Sequence, residues 1–306
     1  MQDTFIDGQF EKKNRVKPGE QTILLLLRVF AYSTIGITLS IVVILFSESL
    51  SFFKEVPLTE FLGTTKWTPL LEPRHFGVLP LVYGTVFIAG GALIIALPLG
   101  VLIAVYLSEY ASERSRQFLK PTLELLAGIP SVVFGFFALT IITPVLRHID
   151  PEVQVFNALS AAIVLSVMIL PLIASISDDA IRSVPYSMRE SGYALGATKA
   201  EIIVAIVIPA ALSGIISSCI LAFSRAIGET MAVTLAAGAT PQLTLNMKDS
   251  VQTITAYIVQ VSMGDTPHGT IEYQSLFAVA VVLFLIVVVV NMSAQVVVKH
   301  FQRKYV

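Results

Sequence analysis

Arg225 and Glu229 stand four residues apart inside a long apolar run, Ala222-Phe223-Ser224-Arg225-Ala226-Ile227-Gly228-Glu229. On a helix that spacing puts both side chains on one face, about 40° apart around the axis. Each ion costs about 2.5–3.5 kcal/mol at the centre of a bilayer even on the lenient insertion scale, so neither belongs in a helix that only anchors. Both are expected to face a bundle interior or a water-filled route. A guanidinium donates two parallel hydrogen bonds and suits a tetrahedral oxyanion. Glu229 would hold Arg225 in place and keep the anion from being trapped. A buried ion pair that fixes helix orientation accounts for the same two residues without any solute.

Upstream of this run lies a polar loop, Glu190-Ser191-Gly192-Tyr193-Ala194-Leu195-Gly196-Ala197. Gly192 and Gly196 are also four apart, so a short helix here would have one bare face open to close approach. Tyr193, Leu195 and Ala197 offer contact area, and Glu190 is expected near the helix start, where a carboxylate complements the dipole. Such a helix could dock a partner protein or rest on the lipid surface.

The elements that position these residues are membrane spans. The chain has 306 residues, 55% of them hydrophobic and 13% charged, with mean hydropathy +0.80, which marks an all-α integral membrane protein. Six spans are expected at about 23–46, 79–107, 121–146, 158–177, 209–237 and 275–298. The parts are then a tail at 1–22, the first helix with its outer segment at 23–78, and a five-helix core at 79–306 containing the loop 178–208. Fourteen Lys and Arg fall on the side of the termini and that loop, and five on the other, so the positive-inside rule makes both termini cytoplasmic. The tail is polar and the apolar run after it is too long for a signal peptide, so the run is expected to remain as the first span. Cys219 is the only cysteine and lies in an apolar run, where a packing role is expected. A net charge of −1 gives no reason to expect a nucleic-acid partner.

Several spans are interrupted. Gly90, Gly91 and Gly100 suit close helix packing, and Pro98 and Pro171 suit kinks. Gly128-Ile129-Pro130-Ser131 is the better candidate for a break lining a cavity, where the Ser131 hydroxyl and freed backbone groups would meet a passing solute. The outer segments 47–78, with Trp67, and 238–274 are long enough to cover a pore mouth or meet a partner.

Glu190-Ser191-Gly192, three residues, Gly196, nine residues and Ile206-Val207-Ile208-Pro209 resemble the Glu-Ala-Ala loop of ATP-binding-cassette (ABC) importer permeases, with small residues replacing both alanines. Three further segments are similar to the phosphate permease subunits. They are Tyr106-Leu107-Ser108-Glu109-Tyr110, Ala127-Gly128-Ile129-Pro130-Ser131-Val132-Val133-Phe134-Gly135 and Arg225-Ala226-Ile227-Gly228-Glu229-Thr230-Met231-Ala232. Phe61-Leu62-Gly63-Thr64 and the whole-chain layout resemble the PstC family rather than PstA. The resemblance implies a type I ABC importer (MetI-like) permease fold with six transmembrane helices and a cytoplasmic coupling helix. It implies phosphate import across the bacterial inner membrane with a second phosphate permease subunit (PstA-like), two ATP-binding subunits (PstB-like) and an extracytoplasmic phosphate-binding protein (PstS-like). It also implies that Glu190, Gly192, Tyr193, Ala194, Leu195, Gly196 and Ala197 meet the ATPase and that Arg225 and Glu229 serve phosphate passage. Thr230, beside Glu229 in the matched segment, and Ser131 complete the candidate pathway set.

No Gly-x-x-x-x-Gly-Lys-Ser/Thr sequence occurs, so no P-loop is expected; ATP and Mg would be bound by the partner ATPase, with no cofactor in this chain. Neither His-Glu-x-x-His nor Gly-x-Ser-x-Gly occurs, against an intramembrane hydrolase. A permease for sulfate or molybdate fits the same arginine. A secondary anion transporter or a non-transporting assembly subunit fits the spans but leaves the cytoplasmic loop or Arg225 without a job.

Overall fold

In the computed structural model the described residues are 18–302, with side chains described for 21–298. The basic tail residues Lys12, Lys13, Arg15 and Lys17, and Lys299, Arg303 and Lys304 at the other end, lie outside the residues whose side chains are described. Two compact units divide at Ser47 and Glu48. The first consists, among the described residues, of the N-terminal part of α1 (Pro18–Glu55), which is apolar over a length sufficient to cross a membrane.

The second unit carries the remaining elements. They are α2 (Leu58–Gly63), α3 (Leu79–Val105), α4 (Glu113–Ala127), α5 (Ser131–Phe137), α6 (Thr143–Ile149), α7 (Ala158–Arg182), α8 (Tyr186–Ala194), α9 (Lys199–Ile202), α10 (Ile208–Ile227), α11 (Met231–Ala237), α12 (Ile254–Met263) and α13 (Ile271–Gln302). Wider π-helical turns extend α3 through Tyr106–Tyr110, join α5 to α6 through Ala138–Ile142, and join α9 to α10 through Ile203–Val207. Six stretches among the described residues are long and apolar enough to span: Gln21–Glu55, Leu79–Tyr110, Ser131–Ile149, Ala158–Arg182, Lys199–Ile227 and Ile271–Val298.

Two spans differ from the sequence expectation. The third starts at Ser131 rather than near 121, because α4 ends at Gly128 and Pro130 takes an extended conformation before α5. Proline disfavours helix at the residue before it and donates no hydrogen bond itself. The fifth occupies Lys199–Ile227 rather than 209–237. Pro209 would clash with the carbonyl of Ala205 in a regular helix; the π turn at Ile203–Val207 spaces the chain there, so the helix passes through the proline. At the other end Gly228 closes α10 and α11 starts afresh.

The core is built on α3 lying along α7, with α7 against α10. A Cβ on Gly100 would sit 2.7 Å from Ile173 Cγ2, so a glycine is what lets these helix backbones approach. Gly91 likewise faces Ala162, but a Cβ on Gly90 would meet nothing within 4 Å, so close packing within this chain's described residues does not explain that glycine. Ser177 and Ser218 share a buried hydrogen bond of 2.9 Å between α7 and α10. On α13, Asn291 accepts from Ser224 of α10 at 2.9 Å. A second cluster joins Phe52 near the end of α1, and Phe61, Trp67 and Phe76 of the segment after it, to Ile254 and Tyr257 of α12, with the Trp67 and Tyr257 rings edge-on at 4.9 Å. The segment between α1 and α3 is therefore a packed aromatic layer rather than a simple loop.

Candidate functional site

Arg225 lies in the last turn of α10 and is exposed on the flank of the unit, while its neighbours Ala222 and Ala226 are buried in the core. An arginine on an exposed flank of a membrane-spanning helix needs a second protein surface or water beside it, because lipid would leave its charge unsolvated.

The shared helical face expected for Arg225 and Glu229 is not formed. Gly228 caps α10, so Glu229 lies beyond the helix, and no ion pair joins the two within 4.0 Å. Glu229 is instead held by the next element. Its Oε1 accepts from the backbone N–H of Ala232 in the first turn of α11 at 3.4 Å, where a carboxylate complements the helix dipole. Its backbone carbonyl accepts from the Thr255 hydroxyl at 2.8 Å. The reason is local: a glycine stop lets the chain turn between two helices, which the four-residue spacing does not reveal.

Thr230 precedes α11 and donates through Oγ1 to the Gly228 carbonyl at 3.2 Å, bracing the break. Ser131 opens α5 and is half-buried. The two elements carrying them pack together: a Cβ on Gly135 of α5 would lie 3.0 Å from Ala232 Cα of α11. The break at Gly128–Pro130 is exposed, as a segment facing a cavity or a neighbouring subunit would be. Arg225, Glu229, Thr230 and Ser131 thus stand on two helix breaks and the helices that meet at them.

The loop resolves into α8, a reversal and α9. Glu190 occupies the middle of α8, exposed, rather than its start. Gly192 and Gly196 do not form one bare face. Gly192 is buried, with a would-be Cβ 2.8 Å from Ile202 Cγ1 and 2.9 Å from Ile206 Cδ1, so its close approach is to its own chain. Gly196 lies past the helix end at φ 80°, a left-handed conformation that glycine adopts without strain. The Gly196 N–H donates to the Tyr193 carbonyl and the Ala197 N–H to the Gly192 carbonyl, the paired bonds that terminate a helix on a left-handed residue. Glu201 and Thr198 then exchange hydrogen bonds in a capping box that starts α9. With Gly192 turned inward, α8 presents Tyr186, Glu190, Tyr193, Ala194 and Leu195 outward, Leu195 being 89% exposed.

Two ionic clusters fix this end of the unit, and neither was singled out as functional from sequence. Arg189 of α8 reaches Glu109 in the π turn ending α3, at 2.9 Å, with both side chains nearly buried. Arg116 of α4 meets fully buried Asp178 of α7 at 2.7 Å, and Lys120 bridges Asp178 and Asp179. The Asp179 carboxylate, its main hydrogen-bond partner, raises the Lys120 pKa above the ordinary lysine value. Glu109 stands in Tyr106–Tyr110, which resembles the phosphate permease subunits, and Arg189 stands beside Glu190, but nothing local pairs them.

The chain is similar to known proteins over most of its length. It is 38% identical to the probable ABC transporter permease protein YqgH of Bacillus subtilis over 74% of this chain and 73% of that one. It is 35% identical to the phosphate transport system permease protein PstC of Mesorhizobium japonicum, covering 74% of each. The PstC 1 protein of Mycobacterium tuberculosis is also 35% identical, over 75% of this chain and 74% of that one. Among solved structures, a bacterial ABC transporter involved in the import of alginate superposes with a TM-score of 0.64 at 15% identity, over 92% of this chain and 96% of that one. The MetNI methionine ABC transporter in an inward-facing conformation superposes at 0.55 and 18% identity, over 74% and 94%. These likenesses establish the type I ABC importer permease fold. Residues 96–306 match the family model itself, and the chain belongs to the binding-protein-dependent transport system inner membrane components.

Proposed function

We propose that this chain is a permease subunit of an ATP-driven importer of inorganic phosphate. It forms half of the translocation route beside a second, PstA-like permease subunit. The observation that carries the reading is Arg225, a cation on the exposed flank of a spanning helix, where a second subunit would enclose a route for an oxyanion. The names of the relatives at 35% identity support phosphate as that oxyanion.

Two PstB-like ATPase subunits bind ATP and Mg, and a PstS-like extracytoplasmic protein delivers phosphate. Both termini and α8 face the cytoplasm, in keeping with the excess of Lys and Arg on that side. The exposed face of α8, with Glu190, Tyr193, Ala194 and Leu195, docks on the ATPase; Gly192, Gly196 and Ala197 shape that helix and its end. ATP-driven closure of the ATPase pair displaces α8. One helical stretch, Lys199–Ile227, runs from the reversal after α8 to Arg225, so the displacement reaches the arginine and opens its route outward. Hydrolysis resets the inward-facing state. Ser131, Glu229 and Thr230 line the route beside the arginine.

The test is uptake of labelled phosphate by proteoliposomes holding the co-expressed complex, with ATP inside and the loaded binding protein outside. ATP-dependent accumulation that excess sulfate and molybdate do not compete away is the expected result. Accumulation against a gradient without the ATPase would overturn the reading.

A further inference from the structure

One arginine ties three elements together at the end of the unit that carries α8. The Arg189 guanidinium donates through Nη2 and Nε to Glu109 Oε1, at 2.9 and 3.2 Å. It also donates through Nη1 to the Val184 carbonyl at 2.5 Å and through Nη2 to the Ile181 carbonyl at 2.9 Å. Ile181 lies in the last turn of α7 and Val184 two residues past its end, where backbone acceptors lack helical partners and a cation is favoured by the dipole. The Arg189 and Glu109 side chains are only 12% and 11% exposed. A second cation reinforces the junction. Lys199 at the start of α9 donates to the Glu109 backbone carbonyl and sits 4.5 Å over the Tyr110 ring centroid.

We infer that Arg189 is a positioning residue for coupling: through Glu109 it delivers displacement of α8 to α3 and α7, in parallel with the covalent route into α10. The chain between α8 and α10 contains a left-handed glycine, a four-residue helix and a π turn, three places where a push can be absorbed. The Arg189 junction bypasses them. Its acceptors lie in the π turn that extends α3, in the last turn of α7 and just past it; α3 and α7 interlock through Gly100 and Ile173, and α7 in turn holds α10 through Ser177 and Ser218. A planar fork satisfying three acceptors in fixed directions transmits displacement in a way that a flexible ammonium cannot.

This inference rests on the proposed function, and the experiment separates the two. Complexes carrying Arg189→Ala, Arg189→Lys, Glu109→Gln or the exchange Arg189→Glu with Glu109→Arg are reconstituted. ATPase retention, ATP turnover and phosphate moved per ATP are then measured. In the single variants we expect the ATPase to be retained and basal hydrolysis to persist. Phosphate moved per ATP, and stimulation of hydrolysis by the loaded binding protein, should fall about tenfold, within the usual range for coupling between sites. The exchanged pair should recover part of that loss. Unchanged stoichiometry in the assembled single variants overturns the inference, and so does failure of every variant to assemble, which would make the pair a stability element only. A wild-type complex that fails to take up phosphate removes the proposed function instead.

Discussion

Arg225 and Glu229 lie on opposite sides of the helix stop at Gly228, the arginine in the last turn of α10 and the carboxylate bonded to the first turn of α11 at Ala232. The two charges therefore answer to different helices. Arg225 belongs to the helical stretch that starts beside α8, whereas Glu229 is bonded to α11 and, through its carbonyl, to Thr255 of α12. A shift of α10 relative to α11 changes the distance between them, which a pair fixed on one helix could not do.

Arg225→Ala should lower phosphate uptake roughly tenfold or more, since hydrogen bonds to charged groups contribute about 1.5–3 kcal/mol each. Arg225→Lys keeps the charge but loses the fork and should also be impaired. Uptake of labelled phosphate at matched membrane levels measures both, and full activity in the lysine variant would show that bidentate geometry does not matter.

Glu229→Gln retains an acceptor for the Ala232 N–H and should leave thermal stability near that of the parent. Glu229→Ala removes the acceptor and should cost about 1 kcal/mol, as the loss of a helix cap does. Thermal unfolding of the detergent-purified complex compares them, and equal melting temperatures would mean the contact contributes nothing.

Leu195→Ala and Gly196→Ala separate docking from shape. Leu195 is almost wholly exposed, so its truncation should leave stability unchanged while lowering co-purification of the ATPase. Gly196→Ala forces a Cβ into a left-handed conformation and should cost roughly 1–2 kcal/mol, reducing both stability and co-purification. Equal ATPase retention in the Leu195 variant and its parent would remove that side chain from the interface.

The clasp of Lys248 with Asp150 and Glu152 has a defined pH window. The Lys248 hydrogen bond, then that from the Glu152 N–H, holds Asp150 below its ordinary value, and Asp150 then Glu152 raise Lys248 above its own. The Asp150 contribution is complete above about pH 4, the ordinary aspartate value, and is lost as pH falls through the lowered one. The Lys248 contribution is complete below about pH 10 and is lost as pH rises through the raised value. Lys248→Gln should therefore lower the melting temperature by the same amount at about pH 6 and pH 8. A decrement that changes between those two values would mean another group controls the clasp.

Much was legible because its signals are local. Hydropathy exposes the spans, since a helix must cover the hydrocarbon thickness with apolar residues whatever it packs against. The expense of Arg225 in lipid marks it without knowledge of its neighbours. The spacing from Glu190 to Pro209 singles out α8 and the helix that follows. By itself, then, the sequence determined the membrane class, the loop signature from Glu190 to Pro209 and the arginine of the candidate route.

Tertiary structure decided what depends on where a helix stops and on what meets across long separations. Gly228 could have continued α10, and the break between Arg225 and Glu229 depends on α11 and α12 holding the far side. Pro209 reads as a span boundary until the π turn before it accommodates the ring. Gly192 looks like an open docking face until Ile202 and Ile206 fold back over it. Arg189 finds Glu109 eighty residues away, at a meeting of three helix ends, and no periodicity along the chain encodes that pairing. Local pattern fixes which side chains can be buried; only the packed helices decide which of them meet.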